Sequence, residues 1–486
     1  MNRKWIALLV TGSLLTGAGG TYAGMKWSDS ASLRNSPLDQ ELMGKVNMPT
    51  LSQMNSQKLE KVNQAYELIL NKYVEKVDRD KLVEGAIQGM LSTLKDPYSV
   101  YMDKETANQF SQALGSSFEG IGAEVGMVDG RIVIVNPFKN SPAEKAGLKP
   151  NDQIVKINGQ STEGLDLNKA TLKIRGPKGT VVKLEIARKT LSDPITINVK
   201  RDEIPLETVY SKIKKENGKK IGYLDITSFS ENTATDFKKQ LASLEYDGIK
   251  GLVIDVRGNP GGLLSSVEEI LQELVTSQKP MVQIQKRNGE KEPFFTTLKN
   301  EKDYPVAVLV DKGSASAAEI LAGALKEADG YPLVGEKTFG KGTVQQAISM
   351  GDGSNIKLTL FKWLTPDGHW IHKKGISPTV VVKQPQIFQT HPIELGKALQ
   401  LDMNNEQVKN AQQILQGLGF APGRTDGYFS TETESAVKAF QQQQGMEPTG
   451  KIGVTTAMKL EEAARKEIKN EKNDLQLQTA LKLIAR

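Results

Sequence analysis

The sequence contains no cysteine and only three histidines among its 486 residues. The lack of cysteine excludes disulfide bonds, cysteine nucleophiles and thiolate metal sites, although it does not fix the cellular compartment. The histidines are His369, His372 and His391, and none belongs to an H-E-x-x-H or similar metal-binding pattern. We therefore expect no metal and no cofactor. A Ser-His-Asp triad would have to use one of these three histidines.

The sequence also has little excess charge, since 63 basic residues nearly balance 57 acidic ones and leave a net charge of +6. Both signs are mixed along the chain, and no basic stripe with interleaved aromatic residues occurs, so we expect no nucleic-acid partner. A hydrophobic content of 38% and a charged content of 25% are typical of a soluble globular protein. The length predicts three or four domains, at about 150 residues each.

The N-terminus has the pattern of an exported protein. Arg3 and Lys4 precede an uncharged run from Trp5 to Ala23, which ends in the small-residue pattern of a cleavage site. The run is borderline in length for spanning a bilayer, which takes about 20 residues. We expect residues 1–23 to be either a cleaved signal peptide or a retained anchor. The rest of the chain would lie outside the cytoplasm, secreted or held at the outer face of the cytoplasmic membrane or at the cell wall.

Changes in composition and periodicity divide the rest of the chain into units. We predict a polar linker (24–57), a helical segment (58–112), a β-rich unit (113–203), an α/β unit (204–390), a small helical unit (401–463) and a C-terminal helix (464–486). The alternation of strands and helices in the α/β unit predicts a mostly parallel sheet covered by helices. Ligands of such sheets bind at the carboxyl ends of the strands.

A strand that turns sharply into a helix provides the candidate nucleophile. The apolar run Val306–Val310 leads into Asp311–Glu319, and a helical pattern follows. Ser316 lies at this turn, where its hydroxyl would be exposed beside free backbone N–H groups. The same serine also starts an S-x-x-E capping box with Glu319, so it can equally be a helix N-cap. The two roles are compatible, because an N-cap serine lies at the positive end of the helix dipole.

A lysine follows the candidate nucleophile and is a candidate general base. Lys341 lies in Phe339–Gln345, and in an extended segment Lys341, Thr343 and Gln345 would share one face. Gln345 could then hydrogen-bond the lysine amine. A free lysine has a pKa of about 10.4, so a lysine base must be buried and must lack a carboxylate partner. The alternative is an ordinary surface lysine after a glycine turn.

Acyl transfer also needs hydrogen-bond donors for an oxyanion. The backbone N–H of Ala317, the residue after the candidate nucleophile, is the first candidate. Asn259–Gly262 follows a buried strand, and its glycines let backbone approach a substrate closely. The alternative is an ordinary βα turn, which also uses glycine.

These segments resemble the carboxyl-terminal processing, or tail-specific, serine proteases of family S41, which have a crotonase/ClpP-like core. The resemblance covers roughly residues 60–390 and includes Gly85–Tyr101, Asn259–Gly262, Gly313–Ala317, Gly340–Gln345, Thr365–Gly368 and Gly375–Pro378. It implies that Ser316 is the nucleophile, Lys341 the base and Gln345 the residue that orients the lysine. It also implies an oxyanion hole formed by Gly262 and Ala317.

The β-rich unit resembles an inserted PDZ domain. The resemblance places a peptide-carboxylate site at Phe118, Glu119, Gly120, Ile121 and Gly122. A substrate tail would add as a strand beside Ile121–Val125. Arg175 would contact both this domain and the active site and act as a gate, and the alternative for it is an exposed turn arginine.

Residues 401–463 resemble a three-helix peptidoglycan-binding domain, through Asp426–Phe429, Phe440-Gln441 and Thr449-Gly450. The alternative is a helical spacer or dimerisation element. Together with the N-terminal pattern, the resemblance implies an exported, homodimeric serine endopeptidase with a Ser-Lys acyl-enzyme mechanism. It would recognise apolar carboxyl-terminal tails and perform processing or regulatory proteolysis at the cell envelope. A non-catalytic PDZ and wall-binding scaffold, and more weakly a peptidoglycan hydrolase, remain as alternatives.

Overall fold

A six-stranded sheet lies at the centre of the α/β unit. The computed structural model describes residues 56–486 apart from 129, 189, 190 and 192, so the predicted export segment lies outside the described residues. The sheet consists, in spatial order, of β10 (Val209–Glu216), β11 (Lys219–Ile226), β12 (Leu252–Asp255), β15 (Val306–Val310), β16 (Leu333–Gly335) and β19 (Val380–Val381). Only the β10–β11 pair is antiparallel, which confirms the predicted mostly parallel sheet.

Helices cover both faces of this sheet. On one face, α6 (Thr233–Tyr246), α7 (Leu264–Leu271) and α8 (Ala317–Glu327) contribute to the largest apolar cluster. On the other face lies the last helix of the chain, α12 (Leu475–Ile484), which packs against alternate residues of the same strands. Strands β12 and β15 are buried at every position, as expected of strands covered on both faces.

A second sheet joins the N-terminal segment to the α/β unit. It contains β1 (Val100–Met102), β18 (Asn355–Leu364), β13 (Val282–Gln285), β14 (Lys291–Phe294) and β17 (Thr343–Ser349). Strand β1 pairs with β18, with Val100 opposite Lys357. The helices before and after β1 are α1 (Ser56–Lys72), α2 (Arg79–Ser92) and α3 (Lys104–Leu114). The N-terminal segment therefore reaches the strands that follow Lys341 in the chain.

The β-rich unit has its own sheet and core. Its main path is β3 (Ala123–Val128), β4 (Arg131–Pro137), β5 (Gln153–Ile157), β7 (Val181–Ala187) and β8 (Ile195–Lys200), with β6 (Gln160–Ser161) beside β5 and with helices α4 (Pro142–Lys145) and α5 (Leu167–Ile174). Strands β2 (Ser117–Gly120) and β9 (Asp202–Pro205), at the start and the end of this unit, pair with each other. The predicted strand start at Ile121 is wrong, because Gly122 has a φ of +70° and interrupts the extended backbone.

The C-terminal region comprises a separate helical unit and a helix that returns to the central sheet. Helices α9 (Glu406–Gly417), α10 (Thr431–Gln443) and α11 (Val454–Lys469) enclose an apolar cluster of their own. The helix predicted over 464–486 is divided by a short 3₁₀ turn at Glu471–Asn473. Asp474 then caps α12 and accepts hydrogen bonds from Arg257, at 2.9 and 2.8 Å. Among the described helices, none is long and apolar enough to cross a membrane.

Candidate active site

Ser316 lies between β15 and α8 in a strained backbone conformation. Its φ is +54° and its ψ is −115°, and the residue is buried. An ordinary N-cap residue has an extended backbone, so helix capping alone does not account for this geometry. A non-glycine residue in such a region costs about 1–3 kcal/mol, and strain of this kind is typical of catalytic serines at strand-to-helix turns.

The carboxylate of Glu319 joins the Ser316 turn to the Lys341 loop. One oxygen accepts hydrogen bonds from the N–H of Ser316 at 3.0 Å and the N–H of Lys341 at 2.8 Å. The other accepts from the N–H of Gly340 at 2.7 Å and the hydroxyl of Thr338 at 2.6 Å. Burial raises the pKa of Glu319, and these hydrogen bonds oppose that rise. The capping-box pattern indicated the first of these bonds, but it gave no sign of those to residues 338–341.

Lys341 is only 1% exposed, as a lysine base requires. Burial holds its pKa well below the usual value, and the positive charge of Lys357 lowers it further. The negative charges of Asp96 and Glu319 act in the opposite direction and raise the pKa of Lys341, but less than burial lowers it. The carbonyl of Lys341 accepts a hydrogen bond from the Trp363 indole at 2.8 Å. Lys341 lies in the loop just before β17, and this bond from β18 helps to hold its backbone.

Gln345 lies on β17, just after a β-bulge, and is 2% exposed. Its amide nitrogen donates to the hydroxyl of Thr343 at 2.9 Å and to that of Thr359 at 3.0 Å. Its carbonyl oxygen is buried and has no hydrogen-bond partner among the described residues. The threonine hydroxyls thus fix the amide so that its acceptor oxygen is available inside the site.

The glycine turn after β12 lies directly against the nucleophile turn. A Cβ added to Gly261 would lie 2.8 Å from the Ser316 Cβ, and one added to Gly262 would overlap the Phe229 carbonyl. Both positions therefore need glycine, with φ values of +105° and +145°. In the described part of the chain, the N–H groups of Gly262 and Ala317 have no hydrogen-bond acceptor. They are thus available to a developing oxyanion.

A small cavity of about 30 Å³ opens beside these groups. Its walls are mostly apolar, and it is lined by Gly262, Leu264, Ser316, Ala317, Ile320, Thr343, Val344, Gln345 and Trp363. The same cavity is therefore bordered by the predicted nucleophile, the predicted orienting glutamine and the two predicted oxyanion donors.

The N-terminal segment supplies two residues that the sequence did not indicate as part of the site. The ring centre of Tyr98 lies 4.9 Å from the Lys341 amine. The Asp96 carboxylate accepts from the backbone N–H of Tyr98 at 3.0 Å and from the Ser99 hydroxyl at 2.7 Å. Both residues lie in Gly85–Tyr101, which belongs to the family resemblance, but nothing in the local pattern of this segment indicates a partner more than two hundred residues away.

The histidines make contacts of other kinds. His372 stacks on Trp370 with ring centres 5.2 Å apart and meets Tyr98 edge-on at 6.3 Å. The ring of His369 lies 3.3 Å from the Glu327 carboxylate, and the ring of His391 contacts the carbonyl oxygen of Pro392. The structure shows no hydrogen bond between Ser316 and a histidine in the range it describes.

The predicted carboxylate site of the β-rich unit is divided between a strand and a loop. Phe118, Glu119 and Gly120 belong to β2, whereas Ile121 and Gly122 link β2 to β3. Within the described chain, β3 pairs only with β4, and its other edge lies near α5. That open edge is where an added strand would fit.

Arg175 follows α5 and is exposed. Its guanidinium lies 4.7 Å from the ring centre of Phe118, within the same unit. The contacts described for Arg175 do not reach Ser316 or Lys341, so its role as a gate stays a prediction.

Four family models match successive parts of the chain. Residues 220–382 match peptidase family S41, and residues 111–187 match the PDZ domain. Residues 14–106 match the N-terminal domain of the activating protease CtpB, and residues 404–460 match a putative peptidoglycan-binding domain.

Two curated relatives match this chain over most of its length. The chain is 58% identical to the carboxy-terminal processing protease CtpB of Bacillus subtilis, over 99% of both chains. It is 45% identical to the carboxy-terminal processing protease CtpA of the same organism, over 88% of this chain and 90% of that one. Among solved structures, the photosystem II D1 C-terminal processing protease is 29% identical, with a TM-score of 0.42, over 68% of this chain and 88% of that one.

Proposed function

We infer the activity from one premise, that this chain belongs to the carboxy-terminal processing proteases of peptidase family S41 and carries a PDZ domain and a peptidoglycan-binding domain. We propose that it is a serine endopeptidase in which Ser316 is the nucleophile and Lys341 the general base. The observation that supports this most is the Glu319 carboxylate, which binds the backbone N–H groups of both residues. It fixes a strained serine and a buried lysine in one constellation.

In the proposed reaction, neutral Lys341 takes the proton of the Ser316 hydroxyl as the oxygen attacks a peptide carbonyl. The N–H groups of Gly262 and Ala317 donate to the oxyanion that forms. The lysine then gives its proton to the leaving amine, and an acyl-enzyme remains on Ser316. A water molecule, deprotonated by Lys341, hydrolyses the ester and restores the serine.

Gln345 would hold the lysine amine through this cycle. Its carbonyl oxygen is the buried acceptor without a partner, and its nitrogen is already bound by two threonine hydroxyls. An N–H of the amine can bind this oxygen in both protonation states. The interaction would therefore set the direction of the lysine without fixing its charge.

Substrate recognition would occur at the open edge of β3. A carboxyl-terminal tail adds there as a further strand, and the loop through Ile121 and Gly122 receives its terminal carboxylate. Apolar tails fit best, since the tail would pass the apolar core beneath this edge. Arg175, which stacks on Phe118, would transmit the occupancy of the groove to the protease unit.

The enzyme would act outside the cytoplasm, in processing or regulatory proteolysis at the cell envelope. Export rests on the basic and apolar N-terminus, and the peptidoglycan-binding domain would hold the enzyme at the wall. A homodimer is supported by large apolar side chains left exposed on α1 and α2, namely Leu59, Val62, Leu68, Val83 and Met90.

The test is cleavage of an unfolded protein with and without an apolar carboxyl-terminal tail, by the chain that lacks residues 1–23. Tail-dependent cleavage that is lost in Ser316→Ala and in Lys341→Ala supports the proposal. An inert wild type that still binds the tail would favour a non-catalytic scaffold. Loss in Ser316→Ala but not in Lys341→Ala would require a different base, such as a histidine.

A further inference from the structure

We propose that Asn259 is a positioning residue of the oxyanion hole, which holds the two backbone donors in place relative to each other. The inference rests on the proposed function, in which Gly262 and Ala317 donate to the oxyanion. Asn259 begins the turn after β12, and the family resemblance gave it no role of its own. It is 0% exposed, and it is hydrogen-bonded to both of the segments that carry a donor.

The side chain of Asn259 fixes the turn that carries the first donor. Its carbonyl oxygen accepts from the N–H of Gly261 at 2.8 Å, and its amide nitrogen donates to the carbonyl of Ile226 at 2.7 Å. Ile226 is the last residue of β11, so the side chain joins the turn to the neighbouring strand of the central sheet. Because both ends of the carboxamide are bound, its position and its rotation are fixed.

The direction of the first donor follows from the planarity of the peptide group. The carbonyl of Gly261 accepts from the N–H of Phe229 at 3.0 Å. In a trans peptide the C=O and the N–H point in opposite directions, so this bond turns the N–H of Gly262 away from Phe229. Asn259 therefore holds the peptide group before Gly261, and Phe229 holds the one after it. Both bonds are made at a φ of +105°, which glycine adopts readily.

The main chain of Asn259 fixes the segment that carries the second donor. Its carbonyl accepts from the N–H of Ala315 at 2.9 Å, two residues before Ala317. Gly261 lies against this donor as well, since a Cβ added to it would be 3.1 Å from the Ala317 nitrogen. A shift of Gly261 would therefore disturb both donors. Because donors act only when they point at the position of the oxyanion, such a shift should lower kcat.

Other bonds join the same two segments before the donors are reached. The Asp311 carboxylate accepts from the N–H of Gly258 at 2.8 Å, and the Ser314 hydroxyl donates to the carbonyl of Val256 at 2.7 Å. Truncation of Asn259 leaves these bonds in place, so the segments should stay joined while the donors lose their orientation. The alternative is an ordinary asparagine turn, which would contribute to stability but not to the chemistry of the folded enzyme.

The test is a double-mutant cycle in kcat for tail-dependent cleavage by the chain that lacks residues 1–23. Asn259→Ala should lower kcat at least about tenfold, as a weaker form of the loss of about 10²–10³ that follows removal of an oxyanion donor. KM should stay within about twofold of the wild-type value, because the interaction acts on the transition state. Asn259→Ser should keep more kcat than Asn259→Ala, since a serine hydroxyl makes the same turn more weakly.

The double variant separates positioning from a general structural role. Added to Gly262→Ala, Asn259→Ala should lower kcat by less than about threefold more, because the donor that Asn259 positions is already displaced. Asn232→Ala is the matched control, at an exposed asparagine before α6 whose side chain makes no capping hydrogen bond. It should keep the wild-type kcat and KM. Thermal unfolding corrects each rate for the fraction of folded enzyme.

The outcomes distinguish this inference from the proposed function. A wild-type kcat in Asn259→Ala, or losses that multiply in the double variant, would overturn the positioning role. If Asn259→Ala does not fold, the same cycle with Asn259→Ser decides. A wild type that does not cleave would instead overturn the proposed function, on which this inference depends.

Discussion

Replacing Glu319 with glutamine is the sharpest test of how the site is held together. The glutamine side chain has nearly the same shape but turns one acceptor oxygen into an NH₂ group. Two of the four donors that now point at the carboxylate, which come from residues 316, 338, 340 and 341, would then face another donor. The Ser316 turn and the Lys341 loop would lose part of their connection.

The size of the effect follows from these hydrogen bonds. Each bond to a charged acceptor contributes about 1.5–3 kcal/mol, so the loss of two amounts to roughly 3 kcal/mol or more. If that loss appears in the activation free energy, kcat falls roughly a hundredfold, at about 1.4 kcal/mol per factor of ten. The negative charge of Glu319 raises the pKa of Lys341, so its removal cannot make the base more protonated. The rate should therefore fall at every pH. The acid limb of the pH profile, which reports deprotonation of the base, should not move to higher pH.

The assay is the steady-state cleavage of the tailed substrate, with kcat and KM measured separately across pH. In the proposed mechanism the tail binds to the β-rich unit, so KM should change little. Glu327→Gln, near the other end of the same helix, is the control and should keep wild-type kcat. A Glu319→Gln enzyme with a wild-type kcat, or one whose acid limb moves upward, would refute the reasoning.

Three further predictions concern the surroundings of the site. Gly262→Ala should reduce kcat by about a hundredfold or more with little change in KM, because its Cβ would displace an oxyanion donor; wild-type kcat would contradict this. Arg175→Ala should leave tail binding intact, measured by fluorescence anisotropy, but abolish the stimulation of cleavage by tails; unchanged kinetics would exclude gating. Asp474→Asn should weaken the bond to Arg257 and lower the midpoint of thermal unfolding by several degrees, whereas the exposed Glu471→Gln should not.

The sequence predicted the central sheet and the nucleophile turn because both depend on local patterns. Val306–Val310 is apolar at every position, and the S-x-x-E pattern that begins at Ser316 is a local signal of a helix start. Lys341 differs, since its burial depends on neighbours from distant parts of the chain. Its role could be predicted only from the family resemblance.

The contacts that the sequence did not predict are all long-range. Asp96 and Tyr98 approach Lys341 through the pairing of β1 with β18, and a strand pair so far apart in sequence leaves no local signal. The last helix has an apolar face, but that face does not identify the sheet it covers. The misplaced strand start at Ile121 has a local cause, since one glycine with positive φ separates two extended segments.

The proposed mechanism requires that a neutral Lys341 activates Ser316. The most direct measurement is the rate at which a fluorophosphonate modifies the enzyme at each pH, with the modified peptide identified by mass spectrometry. We predict a single adduct on Ser316, a rate that rises with deprotonation of the base, and almost no reaction in Lys341→Ala. An adduct on another residue, or equal rates for wild type and Lys341→Ala, would contradict this mechanism.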